Sequence, residues 1–218
     1  AMSVFAKFKP GLGHDGRGLY GTLTDASMLR MLGGLGPLTG TTHVDIGAAD
    51  GKVMLGALAL GADRSLGIEL AGPALGEKFS AMRAKLSTSL DRDLNATLLC
   101  ETDVADLGPS LDDWLRDAFD AFDTDGDVKV TAVWHGFTVE SKECVLEALA
   151  RSSTVSTFCL VGPKRKDYGK ADDVFAFFSR IGVPLALVGD DKATLAGGEQ
   201  YRILTFRIPR PGASSSGF

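Results

Sequence analysis

The chain has 218 residues and 44% hydrophobic content, enough for one α/β domain with a full core. Its formal charge of −5 argues against broad, nonspecific contact with nucleic acid, and no apolar run reaches the ~18 residues of a membrane span. Cys100, Cys144 and Cys159 are odd in number, far apart and without metal-ligand spacing to His14, His43 or His135, so reduced thiols in cytosol or nucleus are expected and no metal site is.

Residues 1–21 are rich in glycine, carry Pro10, and read as an irregular arm without the basic and apolar stretches of a secretory signal. Thr24 and Asp25 offer an N-cap for a helix to about Leu32, with Met28, Leu29, Met31 and Leu32 on its apolar side. Gly33, Gly34, Gly36 and Pro37 stop it. A strand over 43–46, a helix over 51–60 and a strand over 65–69 follow. Residues 73–90 place Leu75, Phe79, Met82 and Leu86 at i, i+4, i+7 and i+11, which predicts a long amphipathic helix. Next come a strand over 97–100 and a helix over 111–122. The apolar, β-branched run 128–134 predicts a central strand covered on both faces. The acidic stretch 123–127 fails as a calcium loop in either register, because no Glu falls at its twelfth position. A helix over 141–151, a strand over 156–161, a basic loop over 163–170 and a helix over 172–181 complete the alternation. Residues 184–188 and 201–208 read as two strands joined by a polar turn, and 209–218 as a disordered tail. The order predicts an α/β fold over 22–208. Its core is a single doubly wound Rossmann-like seven-stranded sheet, mostly parallel, with a C-terminal antiparallel hairpin.

The chemistry concentrates in Val44-Asp45-Ile46-Gly47-Ala48-Ala49-Asp50-Gly51, followed by Glu69 at the tip of the second strand. Gly47 lets the backbone turn sharply, and the helix start near Asp50 presents unpaired N–H groups to a polar ligand. Glu69 is placed to accept both hydroxyls of a ribose, so a nucleoside cofactor is expected. A dinucleotide site would need G-x-G-x-x-G, whereas Ala49 stands at its second glycine and Asp50 would oppose a diphosphate. Asp50 suits the cationic end of S-adenosylmethionine instead. The segment resembles the first motif of seven-strand methyltransferases, D-x-G-x-G-x-G, with Ala49 read at the middle glycine and Val53 at the last. Asp103, followed by Val104, lies after the third strand, where that group commonly places an acid for the adenine amino group; a helix N-cap is the other reading. At the end of the fourth strand, His135 is read either as a general base or as a loop-fixing donor. Phe137 either lines an apolar acceptor channel or is core. No Asn-Pro-Pro or Asp-Pro-Pro occurs, unlike enzymes that methylate adenine or glutamine nitrogens.

The chain as a whole resembles the histone lysine methyltransferases that lack a SET domain, of the disruptor-of-telomeric-silencing type. Leu19-Tyr20-Gly21-Thr22 is similar to that family's Y-G-E loop, Leu66-Gly67-Ile68-Glu69 to its [YF]-G-[IV]-E, and residues 133–139 lie where it has V-N-N-[FY]-x-F. The departures are Thr22 for the loop glutamate, Ala48-Ala49 for Ser-Gly, and His135-Gly136 for the paired asparagines. The resemblance implies S-adenosylmethionine as cofactor, held by Tyr20, Thr22, Asp45, Gly47, Ala48, Ala49, Asp50, Gly51, Glu69, Asp103, Val104 and His135. His135 and Phe137 would stand at the reacting end, and a protein lysine is the acceptor the resemblance favours. A small molecule or RNA as acceptor, or a non-catalytic scaffold of the same fold, are the alternatives. The basic residues Lys164, Arg165, Lys166 and Lys170 suggest either a solvated loop or contact with an acidic partner.

Overall fold

The computed structural model describes residues 23–70, 72–107, 111–119, 126–133, 137–162, 168–195 and 198–209. The expected arm over 1–21, Tyr20, Thr22, His135, the basic residues 164–166 and the tail beyond 209 lie outside these segments.

Seven strands alternate with helices along the chain. They are β1 (Thr41–Ile46), β2 (Arg64–Ile68), β3 (Asn95–Leu99), β4 (Asp127–Val133), β5 (Val155–Gly162), β6 (Ala186–Thr194) and β7 (Gln200–Arg207). The helices are α1 (Asp25–Gly34), α2 (Lys52–Ala59), α3 (Ala74–Leu90), α4 (Leu111–Ala118), α5 (Val139–Arg151) and α6 (Ala171–Arg180), with a short 3-10 turn over Val104–Leu107. The strands form one sheet in the order β3-β2-β1-β4-β5-β7-β6. β1 to β5 pair in parallel, while β7 runs antiparallel between β5 and β6. The predicted sheet and its closing hairpin are therefore present. Strand order reverses between β1 and β4, and in open α/β sheets the crevice beyond the strand ends at such a point receives ligands.

The two faces of the sheet differ in chemistry. One carries Val44, Ile46, Leu66, Val130, Phe158 and Phe206 against Leu115, Leu149, Val174 and Phe178 of α4, α5 and α6. There Phe158 stacks between Phe178 and Phe206, with ring centroids 5.6 and 5.1 Å away. The other face, under α1 to α3, is polar along its centre. His43, Ser65, Thr131, Thr157, Cys159 and Thr205 lie there, all buried. β4 is thus central and covered on both faces as expected, with Lys129 and Thr131 making one of those faces polar.

α1 starts where expected: Thr24 accepts a hydrogen bond from the Ser27 N–H at 3.3 Å. Leu23 bridges to Leu195 and the Thr24 N–H donates to the Thr194 carbonyl at 3.0 Å, which pins this end of α1 at the carboxyl end of β6. The last hairpin differs from expectation. β6 continues to Thr194 through Gly189, Asp190, Asp191 and Lys192, residues read as a turn, and β7 begins at Gln200. An edge strand has only one neighbour, so its charged side chains stay in solvent, and Asp190 pairs with Arg202 of β7.

At the amino end of β5 the buried Asp112 of α4 gathers several donors. It accepts from the Ser152 hydroxyl, from the Ser153 N–H at 2.7 Å and hydroxyl at 2.8 Å, and from the Thr154 hydroxyl at 2.7 Å. Burial acts to raise the Asp112 pKa, but the bonds from Ser152, Thr154 and Ser153 outweigh it and hold the carboxyl below its usual range. This contribution is present above the ordinary carboxyl pKa and is lost as pH falls through the lowered one. An Asp112→Ala variant strands these donors, and its stability is expected to fall by about 2–4 kcal/mol. Thermal unfolding checks this, with an expected drop of about 5–15 °C; an unchanged midpoint would show the hydroxyls re-pairing among themselves.

Candidate functional site

Beyond β1 the chain makes three left-handed steps: φ is +77° at Gly47, +48° at Ala49 and +76° at Gly51. These are the three glycine places of D-x-G-x-G-x-G counted from Asp45. The last is filled by Gly51 and not by Val53, so the motif lacks one glycine, at Ala49. Both exchanges are sterically exacting. A Cβ on Gly47 would lie 3.1 and 3.2 Å from ring atoms of Phe137, and one on Gly51 would lie inside contact distance of the Phe79 ring. Gly67 permits the close approach of α2, since a Cβ there would run into Met54 and come 2.9 Å from the Ala48 Cβ.

The turn is stitched to β2. The Gly47 and Ala48 N–H groups donate to the Ile68 carbonyl at 2.9 and 3.0 Å. The Ala49 N–H donates to Oε2 of Glu69 at 2.7 Å. Glu69 is 7% exposed, and its own backbone joins the Leu99 carbonyl and the Thr102 N–H, tying it to the end of β3. A buried carboxylate is thus held in one orientation beside a left-handed turn.

Asp45 is 1% exposed and accepts from the Thr131 hydroxyl at 2.6 Å. Burial pushes its pKa up to about 7; the Thr131 bond opposes this, and Glu69 and Asp50 add to it by repulsion. Asp50 is also buried, but its charge is met by Lys78 of α3 at 2.5 Å. The sequence reading gave Asp50 to the cationic end of a ligand, whereas here it anchors the turn to α3. Lys52 of α2 pairs with Asp25 of α1 at 2.5 Å. Asp103 accepts from the Ala105 N–H at 2.9 Å and caps the 3-10 turn, whose Val104 belongs to the apolar core. The cap reading of Asp103 thus describes one of its oxygens.

The structure brings together Asp45, Gly47, Ala48, Ala49, Asp50, Gly51, Glu69 and Phe137. Tyr20, Thr22 and His135 are outside the described residues. Sequence reasoning missed Lys78, the partner of Asp50, Thr131, the partner of Asp45, and His43, which reaches Asp45 only through Thr131. Thr131 is the register partner of Asp45 across β1 and β4, a relation no local pattern displays.

No protein-family model matches the chain, and no curated protein matches it. Among solved structures it is similar to magnesium protoporphyrin IX methyltransferase of Synechocystis PCC 6803, solved with bound S-adenosylmethionine. The two are 17% identical with a TM-score of 0.57, over 84% of this chain and 77% of that one. It is also similar to precorrin-6y C5,15-methyltransferase of Geobacter metallireducens GS-15, at 14% identity and TM-score 0.56, over 94% and 95% of the two chains. A third is a proposed RNA methyltransferase of Pyrococcus horikoshii, at 13% identity and TM-score 0.54, over 85% of each chain. The chain has the seven-strand Rossmann-like fold that these methyltransferases share.

Proposed function

We propose that the chain is an S-adenosylmethionine-dependent methyltransferase acting on a small-molecule acceptor. The observation that carries this reading is the buried Glu69 carboxylate, fixed by the Ala49 N–H inside a left-handed turn at the point where strand order reverses. Such a carboxylate is suited to the vicinal hydroxyls of a ribose, and the turn leaves no room for side chains beneath the ligand. In this reading Glu69 holds the ribose, Asp45 and the backbone of residues 47–51 hold the methionine end, and Asp103 and Val104 flank the adenine. Tyr20 and Thr22 close the pocket; support comes from Leu23 and Thr24, which are pinned at the same end of the sheet. His135 and Phe137 stand at the acceptor end, Phe137 because its ring lies against Gly47.

Bound there, the cofactor supplies a methyl group on a cationic sulfur. The chain's part is to hold a neutral acceptor in line with that bond and to exclude water, and positioning of this kind supplies much of a rate enhancement. An acceptor that is already deprotonated needs no strong base, so His135 is assigned an orienting role in preference to proton abstraction.

The small-molecule acceptor replaces the protein lysine that the family resemblance favoured, because the similar structures act on tetrapyrroles or are assigned to RNA. RNA is the second reading, favoured by the Pyrococcus protein. Against it, Glu101, Asp103 and Asp106 follow β3 at the same end of the sheet, and the chain carries a charge of −5. The test is calorimetric titration with S-adenosylmethionine and with NAD, followed by transfer of labelled methyl to small-molecule, RNA and protein pools. Binding of S-adenosylmethionine alone, with label in the small-molecule pool, is expected. Binding of neither cofactor would leave a scaffold of this fold, and label in RNA would establish the second reading.

A further inference from the structure

Four side chains on the polar face form a continuous hydrogen-bonded line across β2, β1 and β4. Ser65 Oγ lies 3.0 Å from His43 Nδ1, His43 Nε2 lies 3.0 Å from Thr131 Oγ1, and Thr131 Oγ1 lies 2.6 Å from Asp45 Oδ1. All four are buried, and His43 and Ser65 are 0% exposed. Proton counting fixes the direction. An ionised Asp45 can only accept, and at 2.6 Å it takes the single Thr131 proton in preference to the Val44 carbonyl at 3.4 Å. Thr131 then accepts from His43, and a neutral imidazole with its proton on Nε2 leaves Nδ1 to accept from the Ser65 hydroxyl. Burial keeps this imidazole neutral, with its pKa pushed down to about 3. While Asp45 is ionised, every proton in the line points toward it.

We propose that His43 is a positioning residue of the cofactor pocket: by committing the Thr131 proton to Asp45 it keeps that carboxylate ionised and fixed beside the Gly47 turn, and so sets the lower pH limit of cofactor binding. The inference rests on the methyltransferase reading above. The other charged groups around Asp45 work against its ionisation or are already paired. Glu69 at the end of β2 and Asp50 in the turn both repel it. Lys78 of α3 is held by Asp50, Lys52 of α2 by Asp25 of α1, and Lys129 of β4 by Asp127. Cys159 of β5, the register partner of Thr131, has a thiol pushed up to about 12 by burial and stays neutral. Hydrogen bonding from Thr131, backed by His43, is what favours the charged form.

The test is calorimetric titration with S-adenosylmethionine from pH 5 to 9 for wild type, His43→Leu, His43→Gln and Thr131→Val. The pH midpoint of binding is expected to rise by about one to two units in Thr131→Val, which loses a bond to a charged group. A rise of about half a unit to one is expected in His43→Leu, which loses only the cooperative support. His43→Gln, whose amide can both donate and accept, restores the wild-type midpoint. A merely structural role for His43 lowers the melting temperature without moving this midpoint. Binding with a common midpoint in wild type, His43→Leu and Thr131→Val overturns the role of His43, whereas no binding by the wild type at any pH overturns the methyltransferase reading beneath it.

Stability without cofactor is a second readout. His43 has its pKa lowered from 6.5 to about 3, so the unfolded chain takes this proton first and stability falls as pH drops across that window. Asp45 has its pKa raised from 3.8 to about 7, so the folded chain takes this proton first and stability rises as pH drops across nearly the same window. The two slopes oppose each other in the wild type. Asp45→Asn removes one of them, and its melting temperature is expected to fall more steeply than that of the wild type between pH 6.5 and 4. Parallel profiles for the two proteins overturn the opposed titration of His43 and Asp45.

Discussion

A Glu69→Ala variant is expected to bind S-adenosylmethionine about 10²–10³-fold more weakly than the wild type. Hydrogen bonds to a charged acceptor contribute about 1.5–3 kcal/mol each, and a ribose diol makes two of them. At the lower end of that range for each bond, their loss amounts to about 3–4 kcal/mol, and each 1.4 kcal/mol is about tenfold in affinity. The Ala49 N–H would lose its acceptor as well, which loosens the turn that lies under the ligand. Glu69→Gln keeps one acceptor oxygen and is expected to lose only about tenfold. Calorimetric titration of the three proteins decides the matter, and equal affinities would remove Glu69 from the pocket. Their melting temperatures without cofactor should stay close, because Glu69 repels Asp45 while it holds Ala49.

The largest expected loss of stability at the site comes from Gly51→Ala. Its φ of +76° costs a residue with a Cβ about 1–2 kcal/mol. The added carbon also presses on the Phe79 ring of α3, and overpacking of this kind costs about 1–3 kcal/mol. Together these give about 2–5 kcal/mol, read as a drop in denaturation midpoint with an unchanged denaturant slope. Ala49→Gly is the natural comparison. It relieves a positive φ of +48° but adds freedom to the unfolded chain, so stability is expected to change by less than about 1 kcal/mol. A Gly51→Ala protein as stable as the wild type would show that Phe79 swings away without cost.

Much of this architecture was legible from local pattern. The apolar spacing of Phe79, Met82 and Leu86 marked α3, and all three are buried as the spacing implies. The run from Val44 to Gly51 with Glu69 marked a strand, turn, helix and carboxylate in the order found. Counting the motif was less secure, since Gly51 takes the place first assigned to Val53. Charged stretches misled where sheet position overrode composition, as at Asp190-Asp191-Lys192, a turn by content and an edge strand in fact. The partners of the pocket were hidden for a different reason. Asp50 meets Lys78 28 residues away, and His43 meets Thr131 88 residues away. Such pairings are set by strand register and helix docking, to which periodicity within a window is blind. His43 by itself reads as one more residue of a short strand.

The Asp112 cluster sits at the amino end of β5 and the Gly47 turn at the carboxyl end of β1, so the parallel strands keep them apart by their own length. β1 has 6 residues, which at ~3.3 Å each spans ~20 Å. Free-energy changes at sites so far apart, with no shared partner, add within about 0.5 kcal/mol. The domain is therefore modular along its strands: a stabilising repair at the Asp112 end can offset the strain of a new specificity at the other without disturbing the geometry it compensates. Combining Asp112→Ala with Glu69→Ala should leave the binding defect of the second as it was. That separation lets a change at either end be made with little effect on the other.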